Sequence, residues 1–219
     1  MPASVERQPI EYHLYKASDG EEMARLLGDV FARHDPPAYA AGLTPAEFET
    51  FVSLLCPKAA VEGLTIVARH ADTGAMIGAM LTEDSASDTP NGMECLSPKF
   101  DPIFDILGQL DAEYRETHHP GPGESIHLLL LGVAESTLGQ GIAQQLVAAA
   151  IENAVGKGYR RAVTEATNPT SQHIFRKLGF SERAHRSYRD HRFSGQLVFT
   201  SIAEHGGPIL MDRSLTQGA

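Results

Sequence analysis

Tryptophan is absent from the 219 residues, and cysteine occurs only at Cys56 and Cys95. Two thiols cannot by themselves build a disulfide framework or a metal site, and they read as independent thiols of a reducing compartment. Long apolar runs are missing too. None approaches the ~18 residues of a membrane span, and Leu128 to Leu131 reads as a buried strand. The opening MPASVERQPIEYHLYK has no basic stretch followed by an apolar one, so no secretory signal is expected and the expected compartment is the cytoplasm. Positive charge is scarce: 18 Lys and Arg against 28 Asp and Glu leave a net charge of −10. That deficit argues against sequence-independent nucleic-acid binding, which needs a basic surface.

What is present is ordinary for a globular chain: 42% apolar residues to fill a core and 21% charged residues to cover it. The charge is uneven. Residues 1–120 hold 20 acidic and 8 basic side chains, whereas residues 121–219 hold 8 and 10. An acidic front half suits a cationic partner, and a neutral-to-basic back half tolerates a phosphorylated one. A solvated acidic surface without a message explains the same numbers equally well.

Periodicity gives the order β-α-α-β-β-α-β-α-β-α-β-β, an α/β domain with a mixed sheet. A strand over 12–16 precedes a helix capped by Ser18-Asp19, with Met23, Leu26, Leu27, Val30 and Phe31 on one face. Asp35-Pro36-Pro37 is expected to break it. Thr44-Pro45-Ala46-Glu47 opens a second helix, which carries Phe48, Phe51, Val52 and Leu55 and is expected to end before Pro57. Strands over 64–69 and 75–81 flank the turn Asp72-Thr73-Gly74, and a polar loop over 83–93 leads to a helix over 102–116. Thr117 to Gly123 reads as a linker. A strand over 124–134, a long helix over 139–157, a strand over 161–167 and a helix over 168–178 follow, the last capped by Asn168 with Pro169 in its first turn. Strands are expected over 180–188, 197–203 and 208–214.

The most informative stretch joins the strand of Leu131 and Val133 to Leu138-Gly139-Gln140-Gly141-Ile142-Ala143, which opens the long helix. Glycines let backbone approach an anion, and the free N–H groups and dipole of a helix start point at it. A lone G-x-G turn is weak, because any tight strand-to-helix turn can use one. The segment also lacks the third glycine of a dinucleotide fingerprint and the Gly-Lys-Ser/Thr of a P-loop. One strand later come Asn168, Ser171 and Phe175, then Lys177-Leu178-Gly179-Phe180.

Together these two segments resemble the paired signature motifs of the Gcn5-related N-acetyltransferase (GNAT) superfamily, usually written Q/R-x-x-G-x-G/A and an Asn, a small residue and an aromatic before K-x-G-F. The resemblance spans about residues 60–190. It implies a single GNAT-like α/β domain with a splayed, mostly antiparallel mixed sheet flanked by helices. Residues 11–123 would form the acceptor side, 124–190 the acyl-CoA-binding core and 191–219 the C-terminal strands. It also implies acetyl-CoA or another acyl-CoA as co-substrate, held by Leu131, Val133, Leu138, Gly139, Gln140, Gly141, Ile142, Ala143, Asn168, Ser171 and Phe175, with no metal. Two positions depart from the pattern. Leu138 stands where Arg or Gln is usual, so backbone N–H groups must carry that anion. Phe175 stands where many members place a tyrosine that protonates the departing thiolate, and a phenyl ring cannot donate.

The flanks resemble the insect-type arylalkylamine N-acyltransferases and their bacterial relatives. Phe31-Ala32-Arg33-His34-Asp35-Pro36-Pro37 stands for their F-x-x-D-E-P-L, and Tyr188-Arg189-Asp190-His191, then Gly195 to Phe199 and His205, for their later motifs. That resemblance implies Asp35 as general base and Ser171 as a second catalytic residue able to donate to the leaving thiolate. The chemistry is coherent. A protonated amine must lose a proton before it attacks a thioester, and a carboxylate can take it. A backbone N–H near Val133 can stabilise the oxyanion. Asp35 as a plain turn residue, Ser171 as an ordinary helix-face serine, and His34, His127 or His173 as the base remain open. The histidine pair His118-His119 has no carboxylate at ligand spacing.

The expected reaction is transfer of an acetyl or longer acyl group from acyl-CoA to a small primary amine. The alternatives are an amino acid, an antibiotic amine or a protein lysine as acceptor, or a silent acyl-CoA-binding module. Nucleic acid and membrane are not expected partners, and a homodimer is compatible with the sequence.

Overall fold

The computed structural model describes residues 9–216. In chain order its elements are β1 (Ile10–Leu14), α1 (Gly20–His34), α2 (Pro36–Ala40), α3 (Pro45–Glu62), β2 (Ile66–His70), β3 (Met76–Asp84), α4 (Asp101–Arg115), β4 (Ser125–Val133), α5 (Ile142–Gly156), β5 (Arg161–Ala166), α6 (Pro169–Lys177), β6 (Ser181–His185), β7 (Arg192–Phe193), β8 (Gln196–Leu197) and β9 (Ile209–Ser214). The main sheet has seven strands in the order β1-β2-β3-β4-β5-β9-β6, and β7 pairs with β8 in a small separate hairpin. Every neighbour in the main sheet is antiparallel except β4 and β5, which are parallel. A parallel pair needs a crossover, and α5 supplies it. The chain is therefore one α/β domain with a mixed sheet between helices.

Two apolar layers sandwich the sheet. On one face α1, α3 and α4 bury Met23, Leu27, Phe48, Val52, Leu55 and Ile106 against Val67, Ala79, Leu81 and Leu130. On the other, α5 and α6 bury Leu146, Val147, Ala150 and Phe175 against Ile66, Met80, Ile126 and Leu128. Each fully buried leucine of this kind contributes roughly 1.5–3 kcal/mol. α1 lies so close to β4 that a Cβ at Gly132 would meet Leu27 Cδ2 at 2.5 Å, so any side chain there would have to displace that buried methyl.

Local chemistry accounts for most boundaries, and three expectations need correction. α3 begins at the expected capping box, in which Thr44 accepts from Glu47 N while Glu47 reaches back to Thr44 N. It then runs through Pro57 to Glu62 rather than stopping before the proline. The proline removes one backbone hydrogen bond, but Leu55 and Ala59 are 3% and 2% exposed on either side of it, and their burial keeps the helix going. Gly63, at φ 62°, ends it. Asp35 does more than break α1: it caps α2, its carboxylate accepting from Ala38 N at 3.2 Å. The expected strand over 197–203 is a short extended pair followed by a 3-10 turn over Thr200–His205. Phe199 and Ile202, which are 0% and 3% exposed, anchor this kinked segment, and Ile202 N donates to Phe199 O at 3.1 Å. The tail after 191 is thus only partly strand.

Candidate active site

The site begins where two strands part. β4 pairs with β5 only through Ser125, Ile126 and His127. Beyond that the last tie is Thr164 Oγ1, which donates to Leu128 O at 2.9 Å. On its other edge β4 stays paired with β3, with a register shift opposite Leu81 and Thr82 that leaves Leu129 as a bulge. In an antiparallel pair alternate residues bond the partner strand. Ala134 N donates to Ile77 O at 2.8 Å, so in the register Gly132↔Ala79 and Leu130↔Leu81 the same parity faces β3. Leu131 and Val133 therefore turn their backbone N–H and C=O toward the side that β5 has left.

Past the end of β4, Gly139 and Gly141 adopt φ 76° and 79°, a left-handed conformation that strains other residues. Gly141 caps α5, and no side chain takes up the helix's first N–H groups. Leu138, Gly139, Gln140 and Gly141 are exposed, while Ile142 is buried and anchors the helix. Nothing lies within 4 Å of a Cβ built on Gly139. A shallow cradle of free N–H groups results, suited to a phosphate-type anion. Leu138 is 64% exposed and offers it only backbone.

α6 closes the other side. Asn168 caps it, accepting from Ser171 N at 2.9 Å, and Ser171 Oγ donates to Asn168 O at 2.9 Å. Ser171 thus already spends its proton inside the capping box. Phe175 is 2% exposed and meets Phe180 edge-on at 5.1 Å.

A cavity of about 530 Å³ runs through the gap, and its wall includes Asp35, Leu131, Asn168, Ser171 and Phe175. Val133 and the cradle from Leu138 to Ala143 do not line it; they lie along the continuation of β4 toward α5. Five phenylalanines, Phe31, Phe48, Phe51, Phe100 and Phe104, pack ring on ring in the wall with centroids 4.8–5.7 Å apart.

Asp35 comes from the α1–α2 junction to meet Thr167 at the end of β5. Thr167 Oγ1 donates to one carboxylate oxygen at 2.5 Å and Ala38 N to the other. Tyr188 OH in turn holds Thr167 O at 2.8 Å. Burial lifts the Asp35 pKa to about 6, against the two hydrogen bonds and the neighbouring His205, which lower it. His34 also lines the cavity; His173 does not.

A second charged centre lies where β4 and β5 still pair. His127 Nε2 meets Glu165 at 2.6 Å and Nδ1 meets Glu83 at 3.2 Å, while Lys58 Nζ meets Glu83 at 2.7 Å. Burial opposes the charge on His127, yet the two carboxylates raise its pKa to about 10 and keep it an imidazolium. In that state the ring offers no lone pair, which favours Asp35 over His127 as the proton acceptor. Burial acts against Glu83 too, but His127 and Lys58 hold it below its ordinary range. Sequence reading placed Glu83 in a loop and passed over Glu165. The three residues come from β3, β4 and β5, and only strand pairing brings them together.

Among the described residues no group of three or more His, Cys, Asp or Glu could hold a metal ion. No helix there is long and apolar enough to cross a membrane.

Comparison with known proteins agrees with this fold. Residues 92–180 match the family model described as the acetyltransferase (GNAT) family. Among solved structures, the C-terminal condensation domain of Ebony, in complex with beta-alanyl-dopamine, superposes with a TM-score of 0.87 at 14% identity, covering 95% of this chain and 100% of that one. Arylalkylamine N-acetyltransferase 2 from Aedes aegypti gives 0.78 at 20% identity, covering 94% and 99%. Drosophila melanogaster polyamine N-acetyltransferase, which catalyses the formation of N-acetylagmatine, gives 0.77 at 18%, covering 94% and 100%. At such identities the likeness speaks for the fold. This is a GNAT-fold chain whose residues 92–180 match the acetyltransferase (GNAT) family.

Proposed function

We propose that the protein is an acyl-CoA-dependent N-acyltransferase that moves an acetyl or longer acyl group to a small primary amine. The observation that carries this reading is the cavity at the parting of β4 and β5, with a buried carboxylate, Asp35, in its wall. The free backbone of Leu131 and Val133 suits the amide-bearing arm of CoA, as an added strand would pair there. The cradle from Gly139 to Ala143 suits its pyrophosphate. The residues present thus fit an acyl-CoA, which would supply the activated thioester.

Asp35 then takes the proton from the ammonium. With a pKa of about 6 it is ionised at neutral pH and a better base than an ordinary aspartate. The nitrogen lone pair forms the C–N bond, the carbonyl oxygen gains charge beside the free N–H groups of β4, the C–S bond breaks to release the thiolate, and the second nitrogen proton leaves to solvent as the amide forms. Phe175 cannot protonate it, and Ser171 could do so only by giving up its bond to Asn168 O. A thiolate is a modest base, and solvent can complete this step. The five-phenylalanine wall favours an acceptor with an apolar or aromatic body. Fold relatives whose names concern arylalkylamines, polyamines and agmatine support an amine acceptor. Thiol release from acetyl-CoA, measured with a panel of primary amines, tests the reading. Binding of CoA without release in the presence of any amine would replace it with a silent binding module.

A further inference from the structure

The seven-stranded sheet ends in β1 on one side and β6 on the other, and the two edges differ. β6 carries a register break against β9 between Glu182 and Ala184, and such a break keeps an edge from accepting a further strand. β1 pairs with β2 through every residue from Ile10 to Leu14 without a break, and it holds neither proline nor lysine. Pro9 O accepts from Ala71 N and Tyr15 N donates to Thr65 O, each at 2.9 Å. In the antiparallel ladder this parity gives Glu11 and His13 to β2 as well. The backbone N–H and C=O of Ile10, Tyr12 and Leu14 therefore face outward, and among the described residues no strand pairs with them. We propose that β1 is the surface through which two copies of this chain associate, the two β1 strands running antiparallel about a twofold axis at Tyr12.

The occupant is argued from the self-complementarity of the strand. With Tyr12 opposite Tyr12 of the second copy, Ile10 stands opposite Leu14, and every outward residue exchanges both of its backbone hydrogen bonds. A register shifted so that Glu11 or His13 lies on the axis leaves one outward residue without its partner. Charge selects the same register. Glu11 and His13 are exposed and share one face of β1, where they meet at 3.1 Å. About Tyr12 each Glu11 lies opposite a His13, in the closely spaced pairing where cross-strand side chains interact best. An axis at Glu11 would set two glutamates against each other, and an axis at His13 two histidines. The apolar side chains agree. Ile10 and Tyr12 already pack on the layer that α5 covers, while Leu14, on the same face, is 43% exposed. Pairing brings Leu14 beside Ile10 of the second copy and extends that layer across the axis.

Sedimentation velocity of the full chain over roughly 1–200 µM tests the proposal. The wild type should shift with concentration toward twice the 23.7 kDa of one chain. Amide exchange at Ile10, Tyr12 and Leu14 should slow as the dimer fills. His13→Glu sets glutamates opposite each other and should raise the dimer Kd by about tenfold or more, since two cross-strand pairs are lost. Adding Glu11→Lys to it restores opposite charges in this register alone and should return Kd to within about threefold of wild type. Unchanged melting temperatures would keep a loss of fold apart from a loss of contact. A chain that stays monomeric throughout, or a dimer whose Kd is the same in wild type, His13→Glu and the double variant, would overturn the proposal. Neither result touches the acyltransferase reading, because β1 contributes nothing to the cavity wall.

Discussion

Asp35 is 8% exposed and bonded on both oxygens, to Thr167 and to Ala38 N. Its burial makes two predictions possible. Because the folded pKa of about 6 lies above the ordinary aspartate value of 3.8, the group's contribution favours folding below pH 3.8 and is lost as pH rises through 6. Asp35→Asn removes that penalty, so its stability relative to wild type should improve by roughly 1–3 kcal/mol between pH 4 and pH 8, read from denaturant midpoints. The same variant should lose about ten- to a thousandfold in turnover with CoA binding retained, and full activity would refute Asp35 as the base. Thr167 supplies the second prediction. Thr167→Val removes a donor to the carboxylate, so the pH at which the rate rises should move upward from about 6, while Thr167→Ser keeps it in place. An unmoved pH profile in Thr167→Val would separate the titrating group from Asp35. The sequence brought Asp35 forward through its resemblance to a motif. It gave no sign of Thr167, because the contact between them spans 132 residues.

At the scale of elements, the start of α5 is the most legible part of the chain. Two glycines with positive φ and a helix without a side-chain cap are what a strand-to-anion turn requires, and both follow from G-x-G before an apolar-periodic run. Gly141→Asp should weaken CoA binding by at least about tenfold, since it sets a negative charge against a pyrophosphate and strains a residue at φ 79°. The CoA-induced shift in melting temperature measures this, and an undiminished shift in a folded variant would move the cofactor site elsewhere. α3 shows the converse. Its start follows from Thr44 and Glu47 alone, but Pro57 misled the reading of its end, because local propensity was outweighed by the packing of Leu55 and Ala59.

The molecule as a whole is organised by one sheet that runs from β1 through β4 and β5 to β6. The half of the chain with most of the acidic residues supplies α1 to α4 on one face, and the half with the cradle supplies α5 and α6 on the other. Since β3, β4 and β5 share hydrogen bonds across that division, the halves should not unfold separately. Thermal unfolding should show one transition, and CoA at a hundredfold over its Kd should stabilise it by about 2.7 kcal/mol. Two transitions, with CoA raising only one, would mark the acceptor side as an independent unit.

The sequence by itself determined the alternation of strands and helices from β1 to β6 apart from the short α2, the glycine turn that opens α5, the cap of α6 and the class of fold, because capping, turn chemistry and apolar periodicity act over a few residues. Only the tertiary structure decided how far β4 and β5 pair before they part and that His127 is held between Glu83 and Glu165. Those outcomes depend on burial and on partners 38 and 44 residues away in the chain, which no local pattern encodes. A histidine reads the same in a sequence whether it is a base or an ion-paired cation. The difference arises when the folded sheet removes water and sets a carboxylate against each ring nitrogen.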